Sequence, residues 1–376
     1  FGVDGERMGM KRVKEFVKRE TVLTAAFLLA ALSMVFVRPD RAYGGYVDYQ
    51  TIALLFCLMA VMAGFQKLGI FSYIGRELLS RVRTGRQAAA VLVGLCFFSS
   101  MAITNDVALI TFVPFALTVL RMAGLSGLIL PVVALQTIAA NLGSMLTPMG
   151  NPQNLYLYGK SGISFGELCG YMLPYVLLSG VLLTALILMH RPVAIPEISL
   201  DVPMNSPRLL ALSTLGFVIC LLGIFKLVSP TAIAAVILIF LLLTDRALLR
   251  EIDYSLLGTF LALFIFIGNL GAVAGFQNLL SSLLDGHVEL VAVLTSQVIS
   301  NVPAALLLSG FTTQWKPLIV GCNLGGLGTL IASMASLISY KMVAREYPGQ
   351  GGRYLLWFTL SNLILLFILL AVSCWL

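Results

Sequence analysis

The tetrad Ile103-Thr104-Asn105-Asp106 sets a hydroxyl, an amide and a carboxylate at the midpoint of an apolar stretch, residues 87–121. Unpartnered polar groups are costly in an apolar medium, and a carboxylate inside a membrane is by default a site for a cation or a proton. Asp106 is the only carboxylate that falls near the expected bilayer centre. A structural alternative is that Asp106 caps the helix that follows it.

A second polar run, Thr147-Pro148-Met149-Gly150-Asn151-Pro152-Gln153-Asn154, carries two prolines and a glycine inside another apolar segment. Continuous helix is improbable there. Freed carbonyls at such a break can ligate Na+, and half-helix ends can face a charged substrate. A simple kink would not call for Asn151, Gln153 and Asn154 as well. Later in the chain, Ser300-Asn301-Val302-Pro303 interrupts residues 288–313. Gly325-Gly326-Leu327-Gly328-Thr329, followed by Ser333 and Ser336, interrupts residues 316–340. Small residues in membrane helices also serve close packing, so these two runs gain weight chiefly from their relation to the first two.

The elements that must hold these residues are membrane helices. The chain has 376 residues, of which 59% are hydrophobic and 11% charged, too apolar for an ordinary water-soluble domain. Its apolar runs suit helices of ~20 residues, not the alternating ~10-residue strands of a barrel. No cleavable leader is expected, because the basic stretch Lys11 to Arg19 precedes a full-length span. With the N-terminus cytoplasmic and residues 87–121 and 288–313 both returning to the side they left, nineteen of the 24 Lys and Arg fall inside. Treating both segments as single crossings lowers the split to 16 against 8. The positive-inside rule therefore predicts two re-entrant hairpins, with the C-terminus periplasmic, in a bacterial inner (plasma) membrane. Straight helix over residues 87–121 would also run roughly 50 Å, too long for one span.

Three anchors recur in order: Ala63-Gly64-Phe65-Gln66 with Ala274-Gly275-Phe276-Gln277, Ile103-Thr104-Asn105 with Ile299-Ser300-Asn301, and Asn141-Leu142-Gly143 with Asn323-Leu324-Gly325. An odd number of crossings separates matching positions, so the expected fold is an all-α polytopic membrane protein of two inverted-topology repeats, each with a re-entrant helical hairpin and a broken transmembrane helix. The expected layout is a basic cytoplasmic N-terminus (1–19), repeat 1 (20–190, hairpin 87–121, broken helix 127–158), a connector with a linking helix (191–229) and repeat 2 (230–376, hairpin 288–313, broken helix 316–340).

Other chemistry finds little support. Cys57, Cys96, Cys169, Cys220, Cys322 and Cys374 form no Cys-x-x-Cys pair and read as small core residues. His190, His287, Trp315, Trp357 and Trp375 fall at membrane edges. No paired acids or His-acid cluster points to an intramembrane enzyme. The net charge of +7 needs only basic inner loops, so no nucleic-acid partner is expected. A passive channel would also use polar re-entrant loops.

At its hairpin tips and breaks the chain resembles the ion transporter superfamily: divalent anion/sodium symporters, arsenite permeases and related bacterial anion permeases. The carriers are Thr104-Asn105-Asp106, Asn141 to Asn154, Ser300-Asn301-Val302-Pro303 and Asn323-Leu324-Gly325-Gly326, and the likeness spans nearly the whole chain. In that superfamily each tip bears a Ser-Asn-Thr motif that holds Na+ and substrate. Here the third position is Asp106 in one half and Val302 in the other, a departure closer to arsenite-permease and sodium/proton-antiporter relatives. The resemblance further implies a homodimer with an elevator motion.

These readings lead to an expected secondary transporter that couples Na+ or H+ to a small anionic substrate, with no other cofactor. Its ion and substrate residues would be Thr104, Asn105, Asp106, Asn141, Thr147, Gly150, Asn151, Asn154, Ser300, Asn301, Asn323, Gly328 and Thr329. Na+ would bind at Thr104, Asn105, Asp106 and Gly150, and again at Ser300, Asn301 and Gly328. The rival is a Na+/H+ antiporter or an arsenite-type efflux permease without a dicarboxylate substrate.

Overall fold

The computed structural model describes Val17, residues 20–196 and residues 206–375. The expected basic N-terminus and much of the connector lie outside these residues. In chain order the helices are α1 (Thr21–Phe36), α2 (Tyr49–Leu68), α3 (Ile70–Leu79), α4 (Gly85–Ser99), α5 (Asn105–Met122), α6 (Ile129–Ser144), α7 (Pro152–Ser161), α8 (Phe165–Leu188) and α9 (Pro207–Ile224). They continue with α10 (Pro230–Thr244), α11 (Tyr254–Gly271), α12 (Ala274–Leu284), α13 (Val288–Ile299), α14 (Asn301–Leu308), α15 (Trp315–Leu324), α16 (Met334–Glu346) and α17 (Gly351–Ser373). Short helical turns join some of them, and Thr84 and Ala194 form an isolated extended pairing.

Among the described residues seven helical stretches have the length and hydropathy to cross a bilayer, and α12 with α13, bent by 115°, make a further candidate. The protein is an all-helical, multi-pass membrane protein. Its helix starts follow local chemistry. Asp48 accepts from the Gln50 and Thr51 amides ahead of α2, and Thr84 with Gln87 and Ser164 with Glu167 close capping boxes on α4 and α8. Gly69, at a φ of +69°, ends α2 in the left-handed conformation that glycine adopts without strain.

Both segments that charge parity assigns to hairpins turn back. Gln136 on α6 donates to the Leu92 carbonyl of α4 and the Phe112 carbonyl of α5, each at 3.2 Å. Those two residues stand equally far before and after the 100–104 tip. At the other end, a Cβ on Gly85 would lie 2.9 Å from Leu125, just beyond the end of α5. The start and the end of the hairpin are therefore neighbours. In the second case α13 and α15 run parallel, since Gly321 abuts Glu289 and Ala292 while Gly325 abuts Ser296. Only a return of the chain through α14 and residues 309–314 permits that.

The third sequence anchor acquires a physical meaning here. Gly143 and Gly325 occupy matching places, and each lets a broken helix approach the first helix of its hairpin: a Cβ would sit 2.0 Å from the Phe97 carbonyl oxygen at Gly143, and 2.6 Å from Ser296 Oγ at Gly325. The first anchor does not behave this way. Ala63–Gln66 lies near the end of α2, whereas Ala274–Gln277 opens α12.

Of the six cysteines, Cys57, Cys96, Cys220 and Cys322 are buried and all six are free. Cys374 is exposed and Cys169 half-buried, so neither is the core residue expected.

Gly143→Ala should loosen the first hairpin from α6, because the added methyl meets backbone that cannot step aside; overpacking of this kind costs ~1–3 kcal/mol. Gly94, on the same hairpin, has open space around it. Thermal unfolding in detergent should show a lower midpoint for Gly143→Ala and an unchanged one for Gly94→Ala; equal midpoints would contradict the close approach.

Candidate functional site

The two breaks fall where the sequence places them. Between α6 and α7 the chain passes through a short turn at Pro148–Gly150, and Pro152 opens α7 at its first position, where the missing N–H is harmless. A Cβ on Gly150 would lie 2.2 Å from the Ser144 carbonyl oxygen and 2.8 Å from that of Ser100, so this glycine brings the break against the first hairpin tip. Thr147 secures the same contact by donating to the Met101 carbonyl at 2.5 Å. Asn154, fully buried, donates to the carbonyls of Ser144, Met145 and Thr147 at 3.2–3.4 Å.

At the tip, Thr104 is the cap of α5, its Oγ1 accepting from the Val107 amide at 3.4 Å. Asn105 Oδ1 accepts from the Asp106 amide at 2.9 Å. The capping role open to Asp106 in the sequence thus belongs to its neighbours. Asp106 Oδ1 is buried and has no hydrogen-bond partner among the described residues.

Asn141 joins the halves. Its Oδ1 accepts from Asn105 Nδ2 and from Ser333 Oγ, both at 3.0 Å, and its Nδ2 lies 3.4 Å from Ser336 Oγ and 3.5 Å from the Gly326 carbonyl. Reciprocally, Asn323 Nδ2 donates to Asn154 Oδ1 at 2.6 Å. With 141–154 aligned on 323–336, Ser336 and Asn154 are counterparts, so each broken helix reaches across to the same place on the other. Asn323 Oδ1, Asn151 Oδ1 and Gln153 Nε2 remain buried and unpaired.

The second break is organised by a residue absent from the expected set. Gln297 Nε2 donates to the Gly325 and Leu327 carbonyls at 2.9 Å, and its Oε1 accepts from the Thr329 amide at 2.9 Å. Gly328, at a φ of +104°, has no room for a Cβ beside the Gln297 amide. Thr329 Oγ1 also bonds back to the Gln297 carbonyl at 3.3 Å. Ser300 takes a φ of +74°, and the Asn301 amide donates to the Ala332 carbonyl at 2.9 Å. As the single glutamine of α13, Gln297 stands out in a largely apolar helix, which was the available signal.

The expected residues thus separate into three groups. Asn105, Asn141, Asn154 and Asn323 form the interlock between the broken helices, and Thr147 and Gly150 fasten its first half to the tip. Ser300, Asn301, Gly328 and Thr329 belong to the second tip and break. Thr104, Asp106 and Asn151 line a cavity of about 130 Å³ between the first tip and helices α2 and α11. Glu251 and Asp253, before α11, line it too, and no Lys or Arg does.

A larger cavity of about 890 Å³ opens elsewhere, between α2, α7, α9 and α11. Lys160 donates to the Tyr156 hydroxyl at 2.9 Å and to Ser309 at 3.4 Å, and Tyr156 and Ser309 are themselves 2.9 Å apart. Lys226 donates to the Ile163 carbonyl at 2.8 Å and lies over the Tyr158 ring. Lys160 and Lys226 both fall in the set that charge parity puts outside. Lys67 with Asp245, and Arg121 with Glu346, pair up within the opposite set.

Against this geometry, comparison with known proteins is decisive. Residues 15–314 match the model of CitMHS, the citrate transporter family. The chain belongs to the CitMHS family. It is 31% identical over 364 residues to the inner membrane protein YbiR of Escherichia coli, covering 91% of this chain and 94% of that protein. An uncharacterized transporter of Methanocaldococcus jannaschii is 33% identical over 299 residues, 79% of this chain and 81% of its own length. The silicon efflux transporter LSI3 of Oryza sativa shares 32% identity over 157 residues, 41% of this chain and 32% of that one. As a CitMHS member the protein is a membrane transporter; the matched region holds Asn105, Asn141 and Asn154 with the first break and both hairpin segments, and Asn323 and the second break follow it.

Gln297→Leu keeps the volume but strands three buried backbone groups, each costing ~1–3 kcal/mol when unpaired. Hydrogen exchange at the Thr329 amide should accelerate in this variant; unchanged protection would show that Gln297 does not hold the break.

Proposed function

We propose that this CitMHS transporter couples Na+ or H+ to the movement of a small anion across the membrane. The supporting observation is the unpartnered Asp106 Oδ1 at the hairpin tip, in the same cavity as the unpartnered Asn151 Oδ1. Two acceptor oxygens without donors suit a cation or a proton, not an anion. Thr104 adds a hydroxyl oxygen beside them.

The anionic substrate would enter from the outer vestibule, where Lys160 and Lys226 supply positive charge next to the Tyr and Ser hydroxyls. Citrate, named for the family, and arsenite, suggested by resemblance, define the class to try first, with silicon, named for the rice relative, as a further candidate. The reciprocal contacts of Asn141 and Asn323 support two repeats related by an approximate two-fold axis, as inverted repeats are. An elevator motion of α4–α8 and α13–α17 against α1–α3 and α9–α12, a homodimer, and an inner-membrane setting with a cytoplasmic N-terminus belong to the same reading.

One observation favours a second reading, a Na+/H+ antiporter or an arsenite-type efflux permease. No Lys or Arg lines the cavity at the first tip, so an anion held there would lack a charged partner.

Asp106→Asn should abolish Na+- or H+-driven uptake in proteoliposomes while leaving the unfolding midpoint near wild type; coupling that survives would remove Asp106 from the mechanism. Solid-supported-membrane currents decide between the readings: a current from a Na+ jump alone supports the antiporter, and one requiring citrate or arsenite supports anion coupling. Lys160→Ala should raise the KM for external anion about threefold or more with little change in maximal rate, as expected for loss of a collecting charge. A changed maximal rate at constant KM would contradict that role.

A further inference from the structure

We infer that Glu251 and Asp253 form the inner mouth of the cation path, an acid pair on the scaffold that passes the coupling cation between Asp106 and the aqueous phase. This rests on the cation-coupled reading.

The cavity at the first hairpin tip has three walls. Thr104 and Asp106 come from the tip, Asn151 from the break, and Gln66, Glu251 and Asp253 from the ends of α2 and the approach to α11. Those scaffold residues lie at the end of the molecule that charge parity makes cytoplasmic, beside Lys67 and Arg250 in sequence. The hairpin tip therefore stands near the inner end of the scaffold, and its cavity meets that end at two carboxylates. At about 130 Å³ the space is well above the ~10–15 Å³ that one water needs, room for a partly hydrated monovalent ion.

The donor set selects the ligand. Asn151 is 3% exposed, yet its Oδ1 has no hydrogen-bond partner, and Asp106 Oδ1 is in the same condition. Hard cations take such oxygens, and a proton satisfies a carboxylate in the same place. Glu251 and Asp253 are exposed, so they connect these buried oxygens to water. Neither carboxylate is in an ion pair among the described residues. Of the nearby cations, Lys67 bonds Asp245 at 2.5 Å, holding that carboxyl below the usual range, Arg246 Nε bonds the Leu242 carbonyl, and exposed Arg250, next to Glu251 in sequence, does not line the cavity. A mouth with one sign of charge concentrates cations and speeds their entry, and salt screens it.

Asp253 has a structural duty that the test must spare. Its Oδ1 accepts from the Leu256 amide at 2.9 Å and caps α11. Asp253→Asn retains a capping oxygen while removing the charge.

The experiment uses the full chain in proteoliposomes sorted by orientation, with Na+ jumps and, in parallel, pH jumps applied to either side, each with and without citrate or arsenite present, and read as current on a solid-supported membrane. The double variant Glu251→Gln, Asp253→Asn should raise the half-saturating cation concentration about threefold or more from the Glu251 side alone, and high choline chloride should narrow the difference. Half-saturation unchanged on that side, or shifted equally on both, overturns the inference. The single variants, with unfolding midpoints measured alongside, serve if the double variant fails to fold. Loss of response in Asp106→Asn together with wild-type half-saturation in the double variant overturns this inference alone. Absence of any cation response in the wild type overturns the cation-coupled reading and this inference with it.

Discussion

Backbone inside a bilayer has no water to bond, so every interruption of a helix there must find its partners within the protein. The stretches 145–151 and 325–333 are two such interruptions, and each is filled by a side-chain amide, buried at the first and half-buried at the second. Asn154 answers the carbonyls released at the end of α6, and Gln297 answers those released at the end of α15 together with the Thr329 amide. Because Asn154 also receives Asn323, and Asn141 reaches Gly326 and Ser336, the two breaks stabilise one another across the halves. Neither can be removed without stranding groups in the other.

This interlock also sorts the polar atoms. Asn105 and Asn141 are spent on structure, whereas Asp106 Oδ1 and Asn151 Oδ1 face a cavity with nothing to bond. An orphaned buried acceptor is unfavourable for stability, and membrane proteins retain such groups where something must be bound and released. Close packing makes the arrangement possible. Gly143, Gly150 and Gly325 each stand where a methyl would collide: the first two let backbone approach backbone at the hairpin tip and break, and the third lets α15 close on the Ser296 side chain of α13. The small residues in these motifs serve proximity, and the amides serve bonding.

Much of the fold was legible because bilayer constraints act on sequence directly. Apolar runs gave the spans, and the distribution of Lys and Arg gave both hairpins, including residues 288–313, which length alone would have allowed as one tilted helix. Pro148, Pro152 and the Gly325–Gly328 run marked the breaks to within a few residues. What stayed hidden depended on tertiary juxtaposition. Gln297 acts on residues about thirty positions away, and Glu251 and Asp253 matter only because the hairpin tip stands beside them. Whether Asp106 or Thr104 caps α5 is a question of one residue in a helix start, and pattern reading does not resolve that. The Ala63 and Ala274 repeats show the opposite error, a tetrapeptide match that the element order does not support.

Re-entry of the two hairpins is the claim from which the remainder follows, and sidedness tests it directly. Single cysteines at Arg83, Ser126, His287 and Gln314, all exposed, would be placed in a Cys374→Ser background and labelled with a membrane-impermeant maleimide in right-side-out and inside-out vesicles. Re-entry predicts that Arg83→Cys and Ser126→Cys label from one side, and His287→Cys and Gln314→Cys both from the other. Labelling of either pair from opposite sides would mean that the segment crosses the membrane, and the proposed cation site would lose its hairpin tip.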